Sequence, residues 1–392
     1  MTLSSAPLED RRIAVVYDCL YPWTVGGEES WLRTLSEGLA AAGARVTYVT
    51  RRQWSDEPDI PGVEVVAVSR SSELYDEAGG RRVVPTLRFG VDVSWYLLRH
   101  RRDFDAVFVA SFPHVAVLAA RVALLGSRTK LVINWVELWS REFWLEYAGA
   151  VMGRVGRLTE RLCVAATPSA IANSPSVKRR LEQSGYRRRV DALPGLLSAA
   201  SVDPREPSET PYVLFGGRHT RDKGVDLLPG IFVRIHAERP DVTFVVTGEG
   251  PMTAPLKSAL AKGGLGPITR FAGFVGEDEL DELVGAASCV VLPSRREGFG
   301  IMAGSVSRFG TPVVVGQYPE NAATDLVDIG RNGFVADPPS PSSFAEAAVA
   351  AIDAGATLRS SSAAWYRDQV SRRSVAHSVD FVVRRLVELT RS

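Results

Sequence analysis

Arg218 and Lys223 lie in the run Gly216-Gly217-Arg218-His219-Thr220-Arg221-Asp222-Lys223-Gly224, directly after the apolar stretch Tyr212–Phe215. Two fixed cations at a strand end suit a diphosphate leaving group. They hold its charge in the ground state and stabilise the charge that grows as the sugar bond breaks. A solvated basic turn is the alternative reading of the same residues. Gly248-Glu249-Gly250-Pro251 follows the β-branched run Val242–Thr247. Its glycines permit close backbone approach to a ligand, or make a plain strand–helix turn. Thr253 stands where a GxGxxG fingerprint needs its last glycine, which disfavours a nicotinamide dinucleotide site. The third run is Pro293-Ser294-Arg295-Arg296-Glu297-Gly298-Phe299-Gly300, before a helical stretch from Ile301. Backbone N–H groups at a helix start bind anions, and Glu297 beside them can accept hydrogen bonds from sugar hydroxyls. A carboxylate at a helix N-terminus is equally a structural cap.

Short β-branched runs alternate with amphipathic helical stretches along the chain, the signature of parallel sheets with crossover helices. In the first half, strands are expected at Arg12–Tyr17, Val46–Thr50, Val63–Val68, Ala106–Val109 and Lys130–Asn134, with helices at Glu28–Ala42 and Val115–Leu125. In the second, strands are expected at Tyr212–Phe215, Val242–Thr247, Thr269–Ala272, Cys289–Leu292 and Pro312–Val315. Helices are expected at Leu227–Glu238, Asp278–Ala287, Ile301–Phe309 and Ser342–Ile352. Leu196–Pro211, with three prolines, reads as a linker. The predicted organisation is α/β, with Rossmann-like domains over 1–200 and 201–370 facing a central cleft, and a C-terminal helix over 371–392 that packs back on the first domain. Ligands of such sheets sit at the carboxyl ends of the strands.

A chain of 392 residues exceeds one ordinary core, since domains run roughly 100–200 residues. A net charge of +1 argues against a dedicated nucleic-acid binder. Cys19, Cys163 and Cys289 are odd in number and far apart, with no metal-ligand spacing. They fit a reducing cytoplasm, as does a stretch Met1–Arg12 without an apolar signal core. Ala106–Gly126 approaches membrane-spanning length, but Pro113, His114 and Arg121 interrupt it.

The order GGRxxxxKG, GEGP, GF, PSRREGFG, GTPVV resembles the nucleotide-binding domain of family 4 glycosyltransferases, of the GT-B fold. The resemblance is strong over Tyr212–Ile352. It is weaker over Arg12–Leu193, where Gly26-Gly27-Glu28-Glu29 and Trp135-Val136-Glu137-Leu138-Trp139 carry it. It implies a retaining transferase using a UDP- or GDP-linked sugar as co-substrate, with no other cofactor and no bound metal. By the same resemblance Arg218 and Lys223, with Gly217, match the diphosphate clamp, and Glu297 the donor-sugar contact. Gly300 and Ile301, with Gly298, Phe299 and Gly248 nearby, match the phosphate-facing backbone, Phe274 the base edge, and Gly26 and Gly27 the loop over donor and acceptor.

Two positions depart from that pattern. Ser305 stands where the family has its ribose-binding glutamate, which removes a charge-assisted bond of about 1.5–3 kcal/mol. Val136 stands where the family often has a histidine. His114, Glu137 and Trp139 are the candidates on the acceptor side, and the acceptor is a sugar, a lipid-linked group or a small molecule. Arg81, Arg82, Arg88, Arg99, Arg101 and Arg102, interleaved with Trp95, Tyr96 and Leu97, fit peripheral contact with an anionic membrane or an ordinary solvated face. The departures also leave two rival readings: a catalytically silent partner subunit, and a nucleotide-sugar epimerase or pseudo-glycosyltransferase.

Overall fold

The computed structural model describes residues 7–74 and 81–391. They divide into two compact units: residues 7–74, 81–196 and 373–391 in one, and 197–372 in the other.

The first unit is built on β1 (Arg12–Val16), α1 (Gly27–Ala41), β2 (Arg45–Arg51), β3 (Val63–Ser69), α2 (Val83–Arg99), β4 (Ala106–Ala110), α3 (His114–Ala123), β5 (Lys130–Trp135), α4 (Arg141–Ala166), β6 (Ala170–Ala172), α5 (Pro175–Gln183) and β7 (Val190–Ala192). The strand order is β3-β2-β1-β4-β5-β6-β7, and every pairing is parallel. β4, Ala-Val-Phe-Val-Ala, is buried at every residue. A strand buried on both faces needs helices over both, which is why it reads as one apolar run. On one face Phe89 and Val93 of α2 and Val117 and Ala120 of α3 pack with Val107 and Val109, and α1, which buries Trp31, Leu32, Leu35 and Leu39, lies against β2 and β3.

The second unit contains β8 (Tyr212–Gly216), α6 (Leu228–Glu238), β9 (Thr243–Thr247), α7 (Thr253–Lys262), β10 (Thr269–Gly273), α8 (Glu277–Ala286), β11 (Cys289–Leu292), β12 (Arg296–Glu297), α9 (Ile301–Ser305), β13 (Val313–Gly316), β14 (Glu320–Asn321), β15 (Gly333–Ala336), α10 (Pro341–Asp353) and α11 (Gly355–Arg373), before a last helix α12 (Val375–Arg391). Its main sheet runs β10-β9-β8-β11-β13-β15, again parallel throughout. In both sheets the order reverses between the first strand and its later neighbour, β1 beside β4 and β8 beside β11. The crevice at such a reversal is where an open α/β sheet takes its ligand.

Several expectations need correction. The basic stretch 81–102 contains the 17-residue helix α2, whose buried face is Phe89, Val93 and Leu97. The expected helix Ile301–Phe309 is only five residues of α9, followed by a 3-10 turn at Val306–Phe309 that ends on the left-handed Gly310. α4 was not anticipated, and it breaks at Gly149, whose φ of 74° and ψ of 178° are not helical. The stretch read as a linker is pinned to the second unit. Asp203 and Arg205 donate backbone N–H groups to the Arg308 and Phe309 carbonyls at 3.0 and 3.1 Å. The Arg359 guanidinium bonds the carbonyls of Gly285, Ala287 and Arg205. α12 belongs to the first unit. It buries Val382, Val383 and Leu386, and the Ser378 hydroxyl accepts the Gly195 N–H at 3.1 Å.

Candidate active site

The loops after β8 and β11 meet at the second unit's reversal point, and three ionic contacts join them. Lys223 donates to Glu297 Oε1 at 2.6 Å, with both side chains about one-fifth exposed, at 21% and 22%. Arg296 lies 3.4 Å from Asp222. Arg295 forks onto both Asp226 oxygens at 2.7 and 2.8 Å and also donates to the Arg221 carbonyl. Burial pushes the Asp222 carboxyl up, but Arg296, with Lys223, Thr220 and Arg218, outweighs it and holds the group below the ordinary carboxylate value. Asp222 is therefore an anion that fixes the loop. Arg218 is exposed at the same strand end.

Glu297 sits on β12, which pairs in parallel with β14 through Arg296↔Glu320 and Glu297↔Asn321. Buried Asn321 anchors that strand. It donates to the Gly316 carbonyl at 2.9 Å and accepts the Ala323 N–H at 3.1 Å. Gly298 and Phe299 are buried beneath the turn, so Phe299 is a wall of the loop. Gly300, at φ 84°, precedes α9. A Cβ there would come within 2.6 Å of the Ala323 Cβ, so only glycine fits. No side chain caps the first turn of α9, which leaves the N–H groups around Ile301 for a ligand or water. Ser305 closes that short helix, half-buried.

The Gly248 turn packs closely on protein backbone. At φ 95°, a Cβ on Gly248 would collide with the Gly217 carbonyl oxygen. The close approach is to the neighbouring loop. His219, fully buried and not singled out from the sequence, locks the two loops together. Its N–H donates to the Glu249 carbonyl at 2.9 Å, and its own carbonyl accepts the Met252 N–H at 3.0 Å. Its Nε2 lies 3.3 Å from the Thr247 carbonyl and its Nδ1 2.7 Å from the Thr253 hydroxyl. A carbonyl only accepts, so Nε2 carries the proton and Nδ1 accepts from Thr253. The Thr253 oxygen in turn accepts the Gly250 N–H at 3.0 Å. Burial holds the imidazole below its ordinary pKa, against the Thr247 bond, consistent with that neutral tautomer. Phe274, 76% exposed, follows β10. One strand lies between β10 and β8, which separates their ends by roughly 10 Å.

In the first unit, Gly26 and Gly27 open α1, whose first turn carries Glu28 and Glu29. These carboxylates already complement the positive end of the helix. Glu28 reaches the ends of β5 and β6. Asn134 donates to its Oε1 at 2.9 Å and Asn173 to its Oε2 at 3.0 Å. Burial pushes the Glu28 carboxyl up to about 8, with Asn173 and Asn134 opposing and Glu29 and Glu137 adding to the rise. Sequence reading quoted Glu28 only within its motif, because both asparagines are more than a hundred residues away.

His114 is buried 3.8 Å from Glu160, among Phe112, Trp135 and Trp144. Burial, reinforced by Arg81, lowers its pKa to about 4. The imidazole is therefore neutral at ordinary pH. Trp139 is also buried; its backbone N–H donates to Glu160 at 2.9 Å, and its indole N–H donates to Glu137 at 2.8 Å. Arg81 forms a buried ion pair with Asp18 and lies over the Phe112 ring at 4.8 Å. The other five arginines of that basic stretch lie elsewhere: Arg82 pairs with Glu73 at the start of α2, Arg88 and Arg99 lie on α2, and Arg101 and Arg102 follow it.

Residues 26–195 match the family described as "Glycosyl transferase 4-like domain", and 199–363 match "Glycosyl transferases group 1". The chain belongs to the glycosyltransferases of the GT-B class that are built from these two domains. A D-inositol 3-phosphate glycosyltransferase from a Nocardioides strain is 33% identical over 156 residues, 36% of this chain and 34% of that protein. The matched region thus spans about a third of the length of this relative. A glycogen synthase from Mycobacterium tuberculosis is 26% identical over 330 residues, 75% of each chain. Among solved structures, sucrose-phosphate synthase from Thermosynechococcus elongatus superposes with a TM-score of 0.80 at 18% identity, covering 96% of this chain and 99% of that one. Anabaena HepE in complex with UDP-glucose gives 0.72 at 16% identity, covering 96% and 99%.

Proposed function

We propose that the protein is a retaining glycosyltransferase that takes a sugar from a UDP- or GDP-linked donor without a bound metal. The observation that carries this reading is the junction of the β8 and β11 loops, where Lys223 meets Glu297 beside exposed Arg218. In this reading Arg218 and Lys223 bind the diphosphate and stabilise it as it leaves, the work a metal cation does elsewhere. The amides at Gly300 and Ile301 meet its oxygens. Glu297 turns to the hydroxyls of the donor sugar. The nucleoside extends along the strand ends toward Phe274. A leaving phosphate oxygen takes the proton of the acceptor hydroxyl, so the chemistry needs no histidine at Val136. The first unit takes the acceptor, with Glu28, Glu137 and the Gly26-Gly27 turn as its polar groups. The complex of HepE with UDP-glucose supports trying the uridine nucleotide first.

Calorimetric titration of the wild type and Arg218→Ala with UDP and with GDP tests the donor site. One nucleotide should bind, and Arg218→Ala should weaken it about 10–150-fold, the equivalent of a charge-assisted bond. Equal affinity in the mutant removes Arg218 from the clamp. Binding of neither nucleotide favours the silent-partner reading.

A further inference from the structure

α2 and the second half of α4 each expose a continuous apolar stripe where a soluble helix carries charge. On α2 the stripe is Val84, Leu87, Val91, Trp95 and Leu98, at the three- and four-residue steps of one helix face. Phe89, Val93 and Leu97 occupy the opposite face and enter the core. On α4 the stripe is Val151, Val155, Leu158 and Leu162, while Cys163 and Val164 enter that same core. α3 contacts both helices and exposes Val122, with exposed Leu125 just past its end. The two stripes run roughly 21 and 17 Å at 1.5 Å per residue. Val84 is 76% and Val151 71% exposed. Scattered surface hydrophobics are ordinary, but aligned rows on neighbouring helices mark a binding face.

The charges beside these rows are mostly basic. Arg88 and Arg99 flank the α2 stripe, and Arg154 and Arg161 flank that of α4. The acidic residue of α2, Asp92, is turned to Ser69, with Arg88 3.7 Å away. The acidic residue of α4 beyond its break, Glu160, is buried and bonded to the Trp139 N–H. The Arg99 guanidinium lies 4.5 Å over the Trp95 ring, a pairing that places an apolar plane and a cation at one level. A two-fold dimer through this face would set arginines largely against arginines, since Asp92 is already engaged by Ser69 and Arg88. A surface of anionic headgroups over acyl chains matches both features. Among the described residues no helix is long and apolar enough to cross a membrane, so the face would lie on the bilayer.

We propose that the outward face of α2, α3 and α4 docks the protein on anionic lipid membranes, with the apolar rows in the acyl boundary and the arginines at the headgroups. The site is independent of the donor loops of the second unit. Flotation of the full chain with vesicles tests it. The wild type should float with phosphatidylcholine–phosphatidylglycerol vesicles and stay behind with phosphatidylcholine alone. Arg154→Ala with Arg161→Ala should reduce partitioning about 25-fold, since each cation near such a surface contributes about fivefold, and added salt should act in the same direction. Val91→Asp with Leu158→Asp should abolish flotation with the melting temperature and nucleotide binding unchanged, because both side chains are exposed. Failure of the wild type to float, equal binding to neutral vesicles, or unchanged flotation of the aspartate variant overturns the proposal. So does a wild-type dimer in sedimentation that the same aspartates dissociate.

Discussion

Replacing Glu297 with glutamine should move two affinities in opposite directions. In the free protein Glu297 holds Lys223 at 2.6 Å, with both side chains about one-fifth exposed, at 21% and 22%. A partly exposed pair of this kind contributes about 0.2–1 kcal/mol. Neutralising Glu297 releases the lysine for phosphate, so nucleoside diphosphate affinity should stay level or rise by up to about fivefold. If the carboxylate also binds the sugar, the intact donor loses a charge-assisted bond of about 1.5–3 kcal/mol. The ratio of donor affinity to nucleotide affinity should then fall at least about tenfold. Calorimetry with the nucleotide and with its sugar conjugate reads both, and needs no acceptor. A parallel rise in both would make Glu297 only a partner of Lys223. A parallel fall, with a lower melting temperature, would make it a loop brace.

Other expectations concern the supports of the two loop systems. His219→Ala leaves the Thr247 carbonyl and the Thr253 hydroxyl without their buried partner and should cost about 1–3 kcal/mol, or roughly 2–4 °C of melting temperature for each kcal/mol. Its folded pKa is depressed, so its contribution is present above the unfolded value of about 6.5 and is lost as pH falls. A pH series of melts on wild type and mutant should converge toward acid, and parallel curves would refute the assignment. Glu28 has the opposite sign, with a folded pKa raised to about 8. Its stabilising effect is complete below the unfolded value near 4.5 and is lost as pH rises through 8. Glu28→Gln should therefore raise the melting temperature most at alkaline pH. A mutant less stable than wild type at pH 8 would show that the anion itself is needed.

The legible parts of this protein were those carried by local pattern. β4, β8, β11 and β13 are short apolar runs bounded by turns, because strands covered on both faces must be apolar throughout. Two such series implied two parallel sheets. Arg218, Lys223 and Glu297 could be singled out because each follows a strand whose end is a ligand position. α4 was harder to see for a physical reason. It breaks at Gly149 and its outward face beyond the break is apolar as well, so the contrast between faces that betrays a helix is weak.

Distance along the chain concealed the rest. That Lys223 lies on Glu297, that His219 joins the turns after β8 and β9, and that Glu28 collects Asn134 and Asn173 are consequences of strand order. Strand order depends on which crossovers return to which edge, a choice made by packing of the whole sheet. The sequence by itself determined the alternation of elements and the chemical types at their ends. Only the tertiary structure decided that the Gly248 turn approaches another loop's backbone, that His114 is buried and neutral, and which helix faces remain uncovered. Those properties are set by neighbours that no local stretch of residues contains.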